Sequence, residues 1–407
     1  MKQEYKEYWD ALGVALGCKE TREHIDWKVV EEIAKEQITL PVLYHGLWAN
    51  GRLGLLPQEI QEEWKEITCV TAIREMSRNA DLERVLQAAA EWNIKLICFK
   101  GNVIARLYPE WKTRISGDSD IYVYERDKSK AVKLLQDLGY RQYMEDSKEM
   151  VPVYVHPFRN HKIELHFSLW EDYEGYQMEL LDSMQLTREE SLIKIKIGNA
   201  DAWTLSPTNH LIFQMFHIIK HFVVQGIGTR YMLDITCFVN HHLNELDKDM
   251  FWSCMEQLHY TDFCIHYFRL CIKYLNLKQD ILPNHDCPDD LEKQDKLLSD
   301  MMAFSNREKA DYKVITLMSP YLEGRETRSG GSIMRKLRLI FPKPDVLQDD
   351  FAYAKKHHIL LPIAWVHKWG RFVKNRLTGK STSAVNKLEE ADSRIAIMQE
   401  MKLLGDK

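Results

Sequence analysis

Residues 99–124 read FKGNVIARLYPEWKTRISGDSDIYVY, and this stretch decides the fold prediction. It places Asp118 and Asp120 two positions apart at the start of a run of β-forming residues. Successive side chains on a strand point to opposite faces, so positions i and i+2 share one face. The two carboxylates would emerge together, and they would repel each other unless a cation lay between them. Oxygen ligands of this kind favour Mg²⁺ or Mn²⁺ and indicate phosphoryl or nucleotidyl chemistry.

The residues around the Asp-x-Asp triplet make the metal interpretation stronger than the triplet alone does. Such triplets arise often by chance, and they then cap a turn or face solvent. Here residues 94–99 predict a buried strand, Lys100-Gly101 predicts a turn, and residues 102–107 predict a short helix. The predicted order is therefore strand, glycine turn, helix, loop with Arg114, and acidic strand.

A third carboxylate comes from a predicted hairpin over residues 151–167. Its second strand, residues 163–167, has one apolar face, while Glu164 and His166 share the other. If this strand pairs beside the strand that carries the two aspartates, Glu164 completes a cage of three carboxylates. Such a cage holds two cations about 3.5 to 4 Å apart for in-line displacement at phosphorus.

Together these motifs resemble the polymerase-β-type nucleotidyltransferase superfamily, and within it the bacterial branch of uncharacterised nucleotidyltransferase-family proteins. In that branch a Lys-Gly turn and an arginine precede a Gly-Asp-x-Asp strand, and a later strand carries an acid followed by Leu-His. The same elements occur here in that order, as Lys100-Gly101, Arg114, Gly117 to Ile121, and Glu164 to His166. The wider superfamily usually has Gly-Gly or Gly-Ser where this chain has Lys100-Gly101-Asn102.

The resemblance implies a metal-dependent transfer of a nucleoside monophosphate from a nucleoside triphosphate, ATP among the candidates, to a hydroxyl acceptor with release of pyrophosphate (EC 2.7.7-type). Asp118, Asp120 and Glu164 would be both the catalytic residues and the ligands of Mg²⁺ or Mn²⁺. Arg114 would clamp a phosphate oxygen, because a guanidinium is a fixed bidentate fork. The implied nucleotide-binding residues are Lys100, Gly101, Arg114, Ser116, Gly117 and His166. The motifs do not encode the acceptor, which is a small molecule, a protein or an RNA, or the preferred base.

Two further polar residues, His166 and Asp234, need an explanation. His166 is either a base or partner of Glu164 at the acceptor site, or a hydrogen-bonded structural histidine, and we favour the structural role. Asp234 lies in the apolar stretch 232–239, where a buried carboxylate needs a partner. Arg230, four residues earlier, is the nearest candidate for that partner.

The composition is typical of a soluble intracellular protein. Of 407 residues, 45% are hydrophobic and 28% are charged, close to the globular average. The eight cysteines are scattered without a Cys-x-x-Cys pair, which predicts buried thiols in a reducing compartment. The N-terminus lacks an apolar signal core, and no run of about 18 apolar residues occurs. The sequence therefore predicts a cytoplasmic protein without a transmembrane segment.

The predicted fold class is α+β and mostly helical, with a small mixed β-sheet as the nucleotidyltransferase core. Residues 1–90 are predicted as a helical N-terminal region, 91–200 as the α/β core, and 201–407 as a helical C-terminal domain. Residues 325–380 carry 13 Lys and Arg against 4 Asp and Glu. This basic segment indicates either a face for an anionic partner, such as RNA or a membrane surface, or a solvated helix that packs its aromatics on the protein.

Two other function classes stay open at this point. A glycosyltransferase uses an Asp-x-Asp triplet to hold Mn²⁺ and the diphosphate of a sugar nucleotide. That alternative gives Glu164 no metal role and wants a longer α/β domain before the triplet than residues 1–90 supply. The third class is a binding or regulatory protein, such as an antitoxin-like partner, that keeps the fold without turnover. The intact acids argue against it.

Overall fold

The computed structural model describes residues 2–20, 25–143, 151–159, 161–170, 176–224, 226–283, 289–304, 351, 353–354, 357–367, 370 and 384–403. The chain divides into two compact units. One comprises Met1–Ile219 and Gly228–Asp289, and the other comprises Lys220–Ile227 and Asp290–Lys407. All strands of the described residues belong to the first unit.

Ahead of the sheet, the α-helices of the described residues are α1 Gln3–Ala15, α2 Trp27–Glu36, α3 Leu40–Ala49 and α4 Gln58–Glu91. The start of α2 shows why helices begin where they do. The Asp26 carboxylate accepts hydrogen bonds from the backbone N–H groups of Lys28 and Val29, which are donors that a helix leaves without an internal partner. The long helix α4 buries Leu82, Val85 and its neighbours along one side.

The described residues form one mixed sheet of seven strands, with the spatial order β3-β4-β5-β2-β1-β7-β6. The strand bounds are β1 Ile97–Phe99, β2 Ser119–Tyr122, β3 Arg141–Gln142, β4 Val153–Val155, β5 Lys162–His166, β6 Ile193–Ile197 and β7 Ala200–Thr204. The α-helices described between strands in the sequence are α5 Gly101–Ala105, α6 Lys128–Asp137 and α7 Tyr176–Ser183.

The central strand β2 pairs antiparallel with β1 and parallel with β5. This confirms the predicted pairing of the Glu164 strand with the strand of the aspartates. Ile121, Ile163 and Leu165 enter the apolar core formed with α4 and α6. Because side chains alternate between faces, Asp120 and Glu164 necessarily lie on the opposite face of these same strands. The hydrophobic alternation that builds the core thus also presents the acids.

The α-helices that the structure describes next after the sheet are α8 Pro207–Val224, α9 Thr229–His242, α10 Lys248–Gln257 and α11 Thr261–Leu275. Pro207 occupies the first position of α8, because proline has no N–H and its fixed φ suits that position. Asp247 caps α10 by accepting a hydrogen bond from the Met250 N–H. In the first unit, α8 supplies His210 and α9 supplies Asp234, and their side chains accept hydrogen bonds from Lys100 and Arg114.

The second unit contains α12 Leu291–Phe304 and α13 Ala384–Glu400. Lys296 Nζ lies 2.9 Å from Glu400 Oε1, and the Arg394 guanidinium donates to the Phe222 carbonyl. Most of the basic segment 325–380 lies outside the described residues, so its anionic partner stays a prediction. Of the helices that the structure describes, none has both the length and the hydropathy required to cross a membrane.

The predicted fold class is confirmed, since the described part of the chain is α+β, mostly helical, and has a single mixed sheet. Strand β7 is the main element that the sequence pattern does not predict. It pairs antiparallel with β6 and parallel with β1, where Ile97 lies opposite Trp203. Its sequence ADAWT contains small and acidic residues that rarely indicate a strand. The three-part domain division stays a prediction.

Candidate active site

The acids of β2 and β5 meet on one face of the sheet. Ligand atoms of Asp120, Glu164 and His166 lie within 4.8 Å of one another, and within the described residues this is the group that has metal-ligand spacing. Asp120 is 5% exposed and His166 is 2% exposed, whereas Glu164 is half-buried. The register explains the cluster, because it sets Asp120 directly opposite Glu164 on parallel strands.

Asp120 accepts hydrogen bonds from two side chains. Lys100 Nζ donates to its Oδ1 at 2.7 Å, and His166 Nε2 donates to the same oxygen at 3.1 Å. Burial raises the pKa of the Asp120 carboxyl, but Lys100 and His166 outweigh burial and hold this pKa well below its ordinary range. Burial lowers the pKa of Lys100, and the Asp120 carboxylate raises it above its usual value. The pair is therefore charged at neutral pH.

Asp118 precedes β2 and belongs to the same acidic group. Burial, followed by the like charges of Asp120 and Glu164, raises the pKa of its carboxyl to about 7. A shift of this direction arises when carboxylates repel one another in a poorly solvated place. The Lys100 ammonium lowers the pKa of Asp118, but by less than burial and the two carboxylates raise it. The charge of one ammonium thus does not compensate the three carboxyl groups.

The donor set fits a divalent cation. Carboxylate oxygens are the ligands that Mg²⁺ and Mn²⁺ prefer, and one or two of them suffice when waters and phosphates complete the shell. The repulsion that raises the pKa of Asp118 is what a cation would relieve. The Nδ1 atom of His166 is buried and has no hydrogen-bond partner in the described part of the chain. Its imidazole is thus held through Nε2 alone, which leaves one nitrogen for a further contact.

Lys100 reaches Asp120 from an unusual backbone conformation. It follows β1 directly and has φ +56° and ψ −129°, a region that glycine adopts far more readily than lysine. Its backbone N–H donates to His210 Nε2 at 3.2 Å. Helix α5 begins at the next residue, so the strained residue forms the corner between strand and helix.

The Arg114 guanidinium binds a protein carboxylate, whereas the sequence predicts that it clamps a phosphate oxygen. Its Nε and Nη2 atoms donate to the two carboxylate oxygens of Asp234 at 3.0 and 2.8 Å. Tyr108 also donates to Asp234, at 2.7 Å. Asp234 is thus paired with an arginine as predicted, but the candidate Arg230 was wrong, because Arg230 instead donates to the Ile115 carbonyl. The Arg114 guanidinium is a buried strut between the loop before β2 and helix α9.

The Arg114 guanidinium also contacts the loop that carries Asp118. Arg114 Nη1 donates to Ser116 Oγ at 3.0 Å, and the Ser116 N–H donates to Glu75 Oε1 at 3.1 Å. Glu75 lies on α4, is 6% exposed, and is paired with Arg78 at 3.0 Å. The loop before the acidic strand is therefore fixed from both α4 and α9.

A family model described as "Uncharacterised nucleotidyltransferase" matches residues 23–276. The chain belongs to this family. The match includes helices α2 to α11 and every strand of the sheet. The resemblance to uncharacterised nucleotidyltransferase-family proteins, which the motifs indicate, is thereby confirmed.

Among solved structures, this nucleotidyltransferase-family chain is similar to an antigenic nucleotidyltransferase-like protein from Paracoccidioides brasiliensis, with 14% sequence identity and a TM-score of 0.30. The similarity covers 40% of this chain and 76% of that chain. No curated protein matches the chain. Membership of the nucleotidyltransferase family rests on the family model and on the motifs that the site contains.

The structure divides the residues predicted for this nucleotidyltransferase-family site into two groups. One group is gathered at the acidic face and consists of Lys100, Asp118, Asp120, Glu164 and His166. The other belongs to the loop and strut beside it and consists of Gly101, Arg114, Ser116 and Gly117. His166 lies in the group with metal-ligand spacing and donates to Asp120. The functional roles themselves stay predictions.

Two supporting residues of the nucleotidyltransferase-family site escape the motif patterns, although one leaves a signal. Glu75 falls on the helical face that also presents Leu82 and Leu86 to the core, so a charged residue stands where burial is expected. Such a position requires a partner and marks a polar contact in advance. His210 lies in the apolar sequence of α8, and no local pattern connects it with Lys100.

We expect Gly101→Ala to destabilise the protein by about 1–3 kcal/mol. An added Cβ would lie 2.7 Å from Arg114 Nη1, and the guanidinium cannot retreat without losing its bonds to Asp234 and Ser116. This clash outweighs the gain in helix propensity of about 1 kcal/mol from glycine to alanine. The free energy of unfolding is measured by urea denaturation followed by circular dichroism. Gly117→Ala is the matched control, since its Cβ meets nothing within 4 Å, and equal losses in both variants would contradict the steric explanation.

Proposed function

We propose that this protein transfers a nucleoside monophosphate from a nucleoside triphosphate to a hydroxyl acceptor and releases pyrophosphate. The observation that carries the proposal is the parallel register of β2 and β5, which sets Asp120 opposite Glu164. Together with Asp118, these residues would provide the carboxylate ligands for the cations of nucleotidyl transfer. Membership of the nucleotidyltransferase family supports the same reaction class.

In the proposed mechanism Asp118, Asp120 and Glu164 would hold Mg²⁺ or Mn²⁺, with His166 beside them. When bound, a divalent cation lowers the pKa of an acceptor hydroxyl and neutralises charge on the triphosphate. The acceptor oxygen forms a bond to the α-phosphorus, its proton passes to solvent, and pyrophosphate leaves with the electron pair of the broken P–O bond. The protein contributes mainly position and charge, as is usual for phosphoryl chemistry.

The other side chains have supporting roles in this proposal. The N–H group of His166 Nε2 donates a hydrogen bond to Asp120 Oδ1, which orients that carboxylate. Lys100 carries the positive charge nearest to the acids and is a candidate for a phosphate oxygen once Asp120 has another cation to bind. Arg114 orients the loop through Asp234 instead of binding phosphate. This assignment separates the residues that would touch substrate from those that hold the frame.

The glycosyltransferase alternative is weaker than the nucleotidyl transfer proposal. Helices α1 to α4 precede the sheet, so the described residues contain no α/β nucleotide domain ahead of the Asp-x-Asp triplet. The pairing of Asp120 with Glu164 also brings a third carboxylate to the triplet, which the glycosyltransferase alternative leaves without a role. A protein that binds nucleotides without turnover is the remaining alternative, and it is decided by assay.

The reaction type is tested with nucleoside triphosphates labelled at either the α- or the γ-phosphate. The protein is incubated with each of the four triphosphates, Mg²⁺ or Mn²⁺, and fractionated cell extract as a source of acceptors. We expect the α-label to appear on an acceptor and the γ-label to appear in pyrophosphate. Labelled sugar nucleotides serve as the comparison for sugar transfer. Transfer that survives in the Asp118→Ala/Asp120→Ala protein would sink the proposal, and triphosphate binding without any product would favour the non-catalytic alternative.

A further inference from the structure

We propose that His210 is a positioning residue, which holds the Lys100 corner in the conformation that delivers the Lys100 ammonium to Asp120. His210 lies in the first turns of α8, far from the acidic strands in sequence. Among the described residues, no hydrogen bond or ion pair joins His210 to Asp120 or Glu164. His210 therefore acts through Lys100. The catalytic consequence rests on the proposed function, whereas the structural consequence does not.

The first observation is the backbone of Lys100. Its φ of +56° and ψ of −129° lie where a Cβ is unfavourable, and Lys100 is not a glycine. Such a conformation persists only when surrounding contacts impose it, and residues of this kind gather at functional sites. Some contact must therefore hold Lys100 at the corner between β1 and α5.

The second observation identifies that contact. The Lys100 N–H donates to His210 Nε2 at 3.2 Å across 110 positions of sequence. His210 is 1% exposed, so water does not compete for its nitrogen. Because Nε2 accepts, the ring is neutral and carries its proton on Nδ1. Burial and, to a smaller extent, His242 lower the pKa of His210 to about 3, which agrees with a neutral acceptor.

The third observation is that α8 guides the Lys100 side chain as well as its backbone. One turn after His210, Phe213 presents its ring 5.8 Å from Lys100 Nζ, and Phe99 lies 5.5 Å from the same ammonium. Aromatic faces at this distance attract a cation. Phe238 packs edge-on against the His210 ring with centroids 5.0 Å apart, which limits its rotation. The Lys100 side chain is 14% exposed, and its Nζ lies 2.7 Å from Asp120 Oδ1.

These contacts make a connected path from α9 to the acids. Phe238 orients His210, His210 fixes the Lys100 backbone, and the fixed backbone sets where Nζ lies. Loss of the acceptor nitrogen leaves a buried N–H without a partner and allows the corner to relax. The Lys100 ammonium would then leave Asp120 for part of the time and become open to solvent and reagents.

The test measures Lys100 directly and needs no substrate. Reductive methylation by formaldehyde and borohydride is followed at Lys100 by mass spectrometry in the full-length protein and its variants. His210→Leu removes the acceptor, whereas His210→Gln keeps a carbonyl oxygen near the position of Nε2. We expect Lys100 to be methylated about tenfold faster in the leucine variant, which corresponds to the loss of roughly one hydrogen bond. The glutamine variant is expected to stay within about threefold of wild type.

Leu211→Ala controls for a general loss of stability, because Leu211 is fully buried on the same helix. Faster methylation in His210→Leu but not in Leu211→Ala supports the proposal. Equal rates in His210→Leu and wild type, or an equal rise in Leu211→Ala, would overturn it. If wild type shows no nucleotidyl transfer, the proposed function fails while the methylation result still decides the role of His210. If transfer occurs, the leucine variant is expected to lose activity about tenfold and the glutamine variant to recover most of it.

Discussion

Asp118→Asn is expected to lower nucleotidyl transfer by about a thousand-fold or more without lowering thermal stability. A thousand-fold loss corresponds to roughly 4 kcal/mol of transition-state stabilisation, a reasonable consequence of losing a proposed metal ligand. Stability is expected to stay level or rise in the absence of a divalent cation. The reason is that Asp120 and Glu164 repel the Asp118 carboxylate. Burial and this repulsion raise the pKa of the Asp118 carboxyl. An amide in its place removes that repulsion.

The measurement combines pyrophosphate release, thermal unfolding and calorimetric titration with Mn²⁺. Asp137→Asn is the matched control, because Asp137 is an exposed carboxylate at the end of α6, and we expect it to behave as wild type in all three. Asp120→Asn gives a useful contrast, since it leaves the Lys100 ammonium without its partner and should cost about 3 kcal/mol or more of stability. Undiminished activity or undiminished Mn²⁺ affinity in Asp118→Asn would remove Asp118 from the proposed site.

Asp234→Asn is expected to destabilise the protein by about 3–5 kcal/mol, because it leaves the Arg114 guanidinium buried without a counter-charge. Side chains of both residues are 7% exposed in this pair, so solvent cannot replace the lost carboxylate. Asp234 also accepts from Tyr108, and that hydrogen bond is weakened as well. A loss of this size lowers the melting temperature by roughly 10 °C in a protein of this length.

A double-mutant cycle with Arg114→Met separates the pair from the general cost of each change. We expect Arg114→Met/Asp234→Asn to be more stable than Asp234→Asn alone, since no unpaired charge stays buried. Asp201→Asn is the control, because the Lys196–Asp201 pair has a similar distance of 2.7 Å but is 60% and 65% exposed. It should cost less than about 1 kcal/mol. If the buried and exposed pairs gave similar losses, the strut would have no special importance.

Much of the site could be predicted from short stretches of sequence. Alternation over residues 163–167 predicts that Glu164 and His166 share a polar face, and it holds because Ile163 and Leu165 enter the core. The Asp-x-Asp spacing predicts that Asp118 and Asp120 act together, and that joint role stays a prediction. The shared face of Glu164 and His166 could be predicted because hydrophobic alternation along a strand is a local property of the chain.

Other features were beyond prediction because they depend on distant contacts. Arg230 is the nearest arginine to Asp234 in sequence, yet Arg114 forms the pair across 120 positions. The phosphate role predicted for Arg114 did not include a protein partner for its guanidinium. That partner, Asp234, lies 120 positions away in the sequence. The strain at Lys100 is likewise invisible in the sequence, since a lysine gives no sign of a positive φ.

The acidic strand and the hairpin that supplies Glu164 could be predicted from the sequence alone, because both follow from residue type and spacing within a few positions. The reaction class that they indicate stays a prediction. The tertiary structure alone decided how the acids are held. It paired Asp120 with Lys100, placed His210 behind the Lys100 corner, and turned Arg114 toward Asp234. The physical reason is that buried charges and strained backbone need partners, and only the packing of distant helices determines which partners come within reach.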